Sequence, residues 1–176
     1  MNYVDMPETS TGERISFRSL VSLIPSYTSF SNSARTDLTD LSLFEKAFYS
    51  GAIKNINMAD ELGWTFLHYA AARNNAEAVK FLIQKGAKKE ITNSDGDTPL
   101  LVATVLESVA AIKALVAYGA NVDVRNESGD HLLYIVDHMR NQAVKDALQL
   151  EERKKFIDIY SNPKAKRHLY KPSKER

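Results

Sequence analysis

The chain has 176 residues, 44% of them hydrophobic and 26% charged, with a net charge of +1 and no cysteine. That length holds one domain with extensions, and the near-neutral balance gives no global field for drawing in nucleic acid or membrane. Disulfides, thiol catalysis and Cys-based zinc sites are excluded, and no run approaches the roughly 18 apolar residues of a membrane span. Met1 to Gly12 lacks the basic start and apolar stretch of a signal peptide, so the cytosol is the expected compartment.

Residues 1–37 are rich in Ser and Thr, a bias that predicts a largely mobile extension. Within it, Ser10-Thr11-Gly12-Glu13 has the form of a capping box. Phe17, Leu20, Val21 and Ile24 follow on one helical face and Pro25 ends the pattern, which predicts a helix over 13–24. Two readings stay open. The helix docks on the N-terminal end of the domain that follows, or the segment folds on a partner or directs secretion. A second helix is expected from Thr36-Asp37 through Leu41, Phe44, Ala47 and Phe48 to Gly51.

From Gly63 onward the chain repeats itself. Gly63, Gly96 and Gly129 are 33 residues apart, as are Thr65 and Thr98, Leu67, Leu100 and Leu133, and Ala70 and Ala103. Gly86-Ala87 and Gly119-Ala120 keep the same interval. Each mark has a physical use. The first glycines allow positive φ in a turn, Thr65 and Thr98 cap the helix that follows, and Pro99 suits a first helical position. Gly86 and Gly119 end a second helix in left-handed caps. The pattern predicts helices at about Phe66–Arg73 and Ala76–Lys85, with Val79, Leu82 and Ile83 at core spacing, matched by Ile112, Leu115 and Val116 one period later. Asn74-Asn75 and Glu107–Ala110, between the helices, depart from a strict repeat.

A period of about 33 residues, with Gly63-Trp64-Thr65-Phe66-Leu67-His68-Tyr69-Ala70-Ala71 and Gly96-Asp97-Thr98-Pro99-Leu100-Leu101-Val102-Ala103 in phase, resembles the ankyrin-repeat family. The resemblance implies an all-α solenoid of stacked helix-turn-helix units with short hairpin-like turns, flanked by N- and C-terminal helices. Two full repeats span 61–93 and 94–126. Leu43-Phe44-Glu45-Lys46-Ala47 looks like the first helix of a truncated leading repeat, and Gly51–Asn57 is too short for more than a turn or a shortened second helix. Ile56–Asp60 resembles its closing hairpin. The unit beginning at Gly129 is degenerate, with His131 at the Thr position, Leu132 at the Pro position and Lys145 and Gln149 at apolar places, as suits a terminal cap. The expected organisation is an extension over 1–37, a repeat domain over 38–150, and a helix end with a tail over 151–176. A helical pattern continues toward Phe156, Ile159 and Tyr160. Residues 161–176 then turn basic, through Lys164, Lys166, Arg167, Lys171, Lys174 and Arg176. A solvated tail is expected there, with an acidic partner or nucleic acid as the alternative.

Nothing in the sequence assembles a catalytic site, and no enzyme activity, cofactor or metal is expected. His68 stands where the family uses a histidine to bond backbone near the hairpin. His131 and His138 are seven apart, wider than a helical metal pair requires. Asp60, Asp95, Asp97 and Asp130 make an acidic edge at the turns, without the converging acid–base pair of a hydrolase.

What the resemblance implies instead is a module that binds another protein through hairpin tips and inner helices. Carried onto this chain, the tip positions are Glu61, Leu62 and Trp64, then Ser94, Asp95 and Asp97, then Glu127, Ser128 and Asp130. The inner-helix positions are Ala72 and Arg73, Val105 and Leu106, and His138 and Met139. Trp64 is the single tryptophan; it serves as an interface anchor or packs inside the domain. The acidic tips suit a partner with a basic patch; no small-molecule substrate, nucleic acid or membrane is expected. A bacterial or viral effector delivered into a host cell, an immunity protein, and a regulatory piece of an enzyme are the alternatives.

Overall fold

The computed structural model describes residues 16–24 and 41–148. Among them are eight helices and no strand: α1 Phe17–Ser22, α2 Ser42–Tyr49, α3 Phe66–Ala72, α4 Ala76–Gln84, α5 Pro99–Val105, α6 Val109–Ala117, α7 Leu132–His138 and α8 Gln142–Ala147. The Ser10–Glu13 box, the expected start at Thr36, Gln149, and everything C-terminal to it lie outside the described residues.

The helix pairs α3–α4, α5–α6 and α7–α8 recur at the 33-residue period, with α3 packed on α4 and α5, α6 on α4, α5 and α8, and α7 on α5. Their starts follow the sequence logic. Thr65 Oγ1 accepts from His68 N–H, Thr98 Oγ1 accepts from Leu101 N–H at 3.3 Å with Pro99 opening the helix, and His131 Nδ1 accepts from Leu133 N–H at 3.1 Å. One apolar core runs through the stack, from Phe44 and Phe66 through Leu82, Leu100, Ile112 and Leu115 to Leu132 and Leu148. The small Ala70, Ala71, Ala103 and Ala111 are fully buried in it, where they let neighbouring repeats approach.

Gly96 shows why a turn glycine recurs. Its φ is +76°, and an added Cβ would lie 2.6 Å from the backbone nitrogen of Glu127 in the next turn. Gly63 is similarly close to Asn93, at 3.0 Å, while Gly129 in the last repeat has no described residue within 4 Å.

Two expectations are corrected at the N-terminal end. First, the helix expected over 13–24 is α1, Phe17–Ser22, capped by Ser16, whose Oγ accepts from Ser19 N–H at 3.1 Å. Its predicted apolar face holds: Phe17, Leu20, Val21 and Ile24 are all buried. Second, α2 is the outer helix of the leading repeat, not its first helix. Phe44, Phe48 and Tyr49 all place rings against Phe81 of α4, the outer helix of the next repeat. Gly51-Ala52 follows α2 as Gly86-Ala87 follows α4, and Ala52 N–H bonds to Ala47 O as Ala87 N–H bonds to Leu82 O. The misreading has a simple source: an apolar stripe of period 3.6 fits either helix of a pair. Gly51–Asn57 forms turns and bends, with no second helix.

Candidate functional site

The hairpin tips are built on one side chain per repeat. Asp60 Oδ1 accepts from Leu62 N–H and Trp64 N–H at 3.0 and 2.8 Å. Asn93 Oδ1 accepts from Asp95 N–H and Asp97 N–H at 3.0 and 2.9 Å, and Asn126 Oδ1 from Asp130 N–H at 2.9 Å. Such a turn closes the loop with a short polar side chain in place of a backbone carbonyl. Sequence reasoning missed Asn93 and Asn126; the successive spacing of 33 from Asp60 to Asn93 to Asn126 is the signal that would have found them.

The tips then bond to one another. Ser94 N–H donates to Leu62 O at 2.9 Å, and Glu127 N–H donates to Asp95 O at 3.2 Å. Four candidate positions thus have fixed backbones, and their side chains are left exposed, Leu62 to 63%. Glu61, Ser128 and Asp130 are exposed as well. Glu61, Asp95, Glu127 and Asp130 make the ridge acidic. Asp97 is only half-buried; burial first, then the nearby Asp95 charge, raises its pKa.

His68 locks the first tip to the second. Its Nδ1 accepts from Thr65 N–H at 3.1 Å and meets Thr65 Oγ1 at 2.8 Å, while Nε2 donates to Asp97 O at 3.0 Å. Burial lowers its pKa, against the smaller opposing pull of the Asp97 carbonyl and the Asp60 charge. His131 is likewise engaged at both nitrogens, accepting from Leu133 N–H and meeting Asp123 Oδ1 at 2.6 Å. His138 is exposed, with Nδ1 2.7 Å from Tyr134 O. Among the described residues no group of three or more His, Asp or Glu side chains is placed to hold a metal ion.

Trp64 is half-buried, with its ring 5.2 Å from Tyr69 and 5.9 Å from His68. Tyr69 in turn donates its hydroxyl to Asp60 Oδ2 at 2.6 Å, and burial together with that carboxylate pushes its pKa up to about 12. Arg73 lies 5.8 Å over the Tyr69 ring and bonds to Val21 O and, at 2.6 Å, to Ile24 O of the segment containing α1. On the next inner helices, Val105 and Leu106 are exposed, whereas Met139 is half-buried against the core. The structure therefore gathers Glu61, Leu62, Ser94, Asp95, Glu127, Ser128 and Asp130 along one row of tips. It sets Arg73 apart, under α1.

A family model described as "Ankyrin repeats (3 copies)" matches residues 33–126. Its span takes in the leading repeat to which α2 belongs. Among curated proteins, neurogenic locus notch homolog protein 1 of Homo sapiens is 43% identical over 49 residues, 28% of this chain and 2% of that protein. The ankyrin repeat protein FPV230 of Fowlpox virus (strain NVSL) is 47% identical over 49 residues, 28% of this chain and 26% of that protein. Ankyrin repeat domain-containing protein 40 of Mus musculus is 38% identical over 64 residues, 36% of this chain and 17% of that protein. In each case the likeness spans well under a third of the relative's length.

Proposed function

Because the chain belongs to the ankyrin-repeat family, whose repeats generally serve as protein–protein interaction modules, we propose that it binds a partner protein along its hairpin tips and inner helices, occluding or scaffolding it. The repeat domain, 38–150, carries this activity, and no catalysis is assigned to it. The observation that carries the reading is the row of tips. Backbone bonds from Ser94 N–H to Leu62 O and from Glu127 N–H to Asp95 O hold it rigid while its side chains are exposed. Such a row is pre-organised, so a partner orders little on binding. Exposed carboxylates at Glu61, Asp95, Glu127 and Asp130 favour a partner with a basic patch. Trp64 and the exposed Leu62 and Leu106 supply the apolar contacts. No helix among the described residues is long and apolar enough to cross a membrane, and we place the module in the cytoplasm.

The test is photo-crosslinking in cells, with a benzophenone side chain at Leu62, at Leu106, or at Lys113 on the exposed face of α6. Adducts from the first two positions and none from Lys113 support the reading. Adducts from Lys113 alone would move the surface to the outer helices. A Leu62→Ala/Trp64→Ala chain that keeps its melting temperature and still captures the crosslinked partner would overturn the surface named here.

A further inference from the structure

The segment 16–24 is held by one stripe of α3. Phe17 stacks 4.6 Å from Phe66 and 6.1 Å from Tyr69, and Arg73 donates to the carbonyls of Val21 and Ile24. Phe66, Tyr69 and Arg73 stand at i, i+3 and i+7, one line along the helix. Leu20, Val21 and Ile24 are buried, while Arg18, Ser19 and Ser22 face solvent.

We propose that the Phe66–Tyr69–Arg73 stripe is a receptor for a short amphipathic helix, that α1 fills it in cis, and that a helix of the partner protein with the same pattern displaces α1. This rests on the reading of the chain as a protein-binding module and names the shape of the partner. Three observations carry it. The polar recognition is generic: Arg73 reads main-chain carbonyls at the helix end, which any helix terminus offers. The apolar recognition is a pattern: an aromatic residue, then aliphatics three, four and seven positions on. And α1 has six residues, too few to be a stable helix alone, so it is folded by the stripe that holds it and is lost when released. The receptor persists without it, because Tyr69 is held by its bond to Asp60 and Phe66 by Phe44.

The probe is a fluorescein-labelled peptide of residues 14–26, titrated into the full chain. In the unaltered chain α1 competes within the same molecule, at an effective concentration on the order of millimolar, and peptide uptake is weak. In the full chain carrying Leu20→Asp and Ile24→Asp the stripe is vacant, and uptake tightens by about tenfold or more. Adding Arg73→Gln loses about tenfold of that gain, as expected for two charge-assisted bonds. Equal uptake by unaltered and Leu20→Asp/Ile24→Asp chains, or none by a folded double variant, overturns the proposal. Should the double variant not fold, hydrogen exchange of amides 17–24 decides in an Arg73→Gln chain: faster exchange there with the repeats still protected supports it, and unchanged exchange refutes it. The titration uses no native partner. Peptide uptake with a native partner indifferent to Leu62 and Trp64 would sink the hairpin-tip reading alone, and the reverse result would sink this one alone.

Discussion

Asn74 caps a helix that is not its own: its Oδ1 accepts from Ala110 N–H at 2.8 Å and from Ala111 N–H at 3.1 Å, at the start of α6 in the next repeat. Ser108, the residue before that helix, makes no side-chain cap there and turns its hydroxyl toward Ala72 O. Asn74 also stands at φ +55°, where glycine is usual and asparagine is tolerated. Its two roles separate by substitution. Asn74→Gly keeps the backbone at ease and loses the cap, costing about 1 kcal/mol. Asn74→Ala loses both and costs about 2 kcal/mol or more. Urea unfolding of both variants checks the order, and a glycine variant as unstable as the alanine one would show that the left-handed turn carries no strain.

Gly96 and Gly129 have almost the same φ, +76° and +83°, but among the described residues only Gly96 has a neighbour at its Cβ position. An alanine at either position strains the backbone by about 1–2 kcal/mol. At Gly96 the new Cβ also meets the Glu127 backbone at 2.6 Å and its Cγ at 2.7 Å, so the turns must separate and the Asp95–Glu127 bond weakens. Gly96→Ala should therefore cost about 1–3 kcal/mol more than Gly129→Ala. Equal losses in chemical denaturation would mean that the tips do not stack as tightly as described.

Burial holds the His68 pKa below that of the unfolded chain. The unfolded state then binds more protons than the folded one below about pH 6.5. The stability due to neutral His68 is fully present above that pH and is lost as pH falls toward and through its folded pKa, by at most about 1.4 kcal/mol per pH unit. Asp97 works the other way at lower pH, because its raised pKa makes protonation stabilising. A His68→Gln chain should be about 1–3 kcal/mol less stable at pH 7.5, having lost the Thr65 and Asp97 bonds. It should also lose less stability than the parent between pH 6.5 and 5. Parallel curves for the two chains would show that His68 does not titrate with folding.

The two full repeats were legible because their determinants are local. Thr65, Thr98, Gly86 and Gly119 act within a turn of themselves, so helices expected at Phe66–Arg73 and Ala76–Lys85 appear at Phe66–Ala72 and Ala76–Gln84. The acidic tips were legible too, as residues of a known hairpin. What the sequence hid was long-range. Arg73 reads as a free inner-helix position, because its partners Val21 and Ile24 are 52 and 49 residues away and are backbone carbonyls, which leave no trace in residue identity. Asn74 reads as a departure from pattern, because its partners are 36 and 37 residues on. The Ser10-x-x-Glu13 box suggests a helix start that lies outside the described residues, while the described helix is capped by Ser16.

The outer-helix position of α2 has a further consequence at Lys85. The α2 end brings Phe48 and Tyr49 beside Phe81, with the three rings at 82°, 86° and 76° to one another. Lys85 Nζ lies 5.0 Å from the Tyr49 centroid, 5.6 Å from Phe81 and 5.8 Å from Phe48. An ammonium facing several rings at a partly solvated site gains about 0.5–1 kcal/mol, and its stem covers the rings besides. Lys85→Met keeps the stem and loses the charge, so it should cost about that amount, while Lys85→Arg should be close to neutral. A double-mutant cycle with Tyr49→Leu isolates the ring contribution, since Tyr49 is 67% exposed and its removal leaves no cavity. A coupling energy near zero would show that the lysine merely rests on the rings. A coupling of the expected size would show that the leading repeat, though it has a single described helix, is fastened to the stack by its aromatic end.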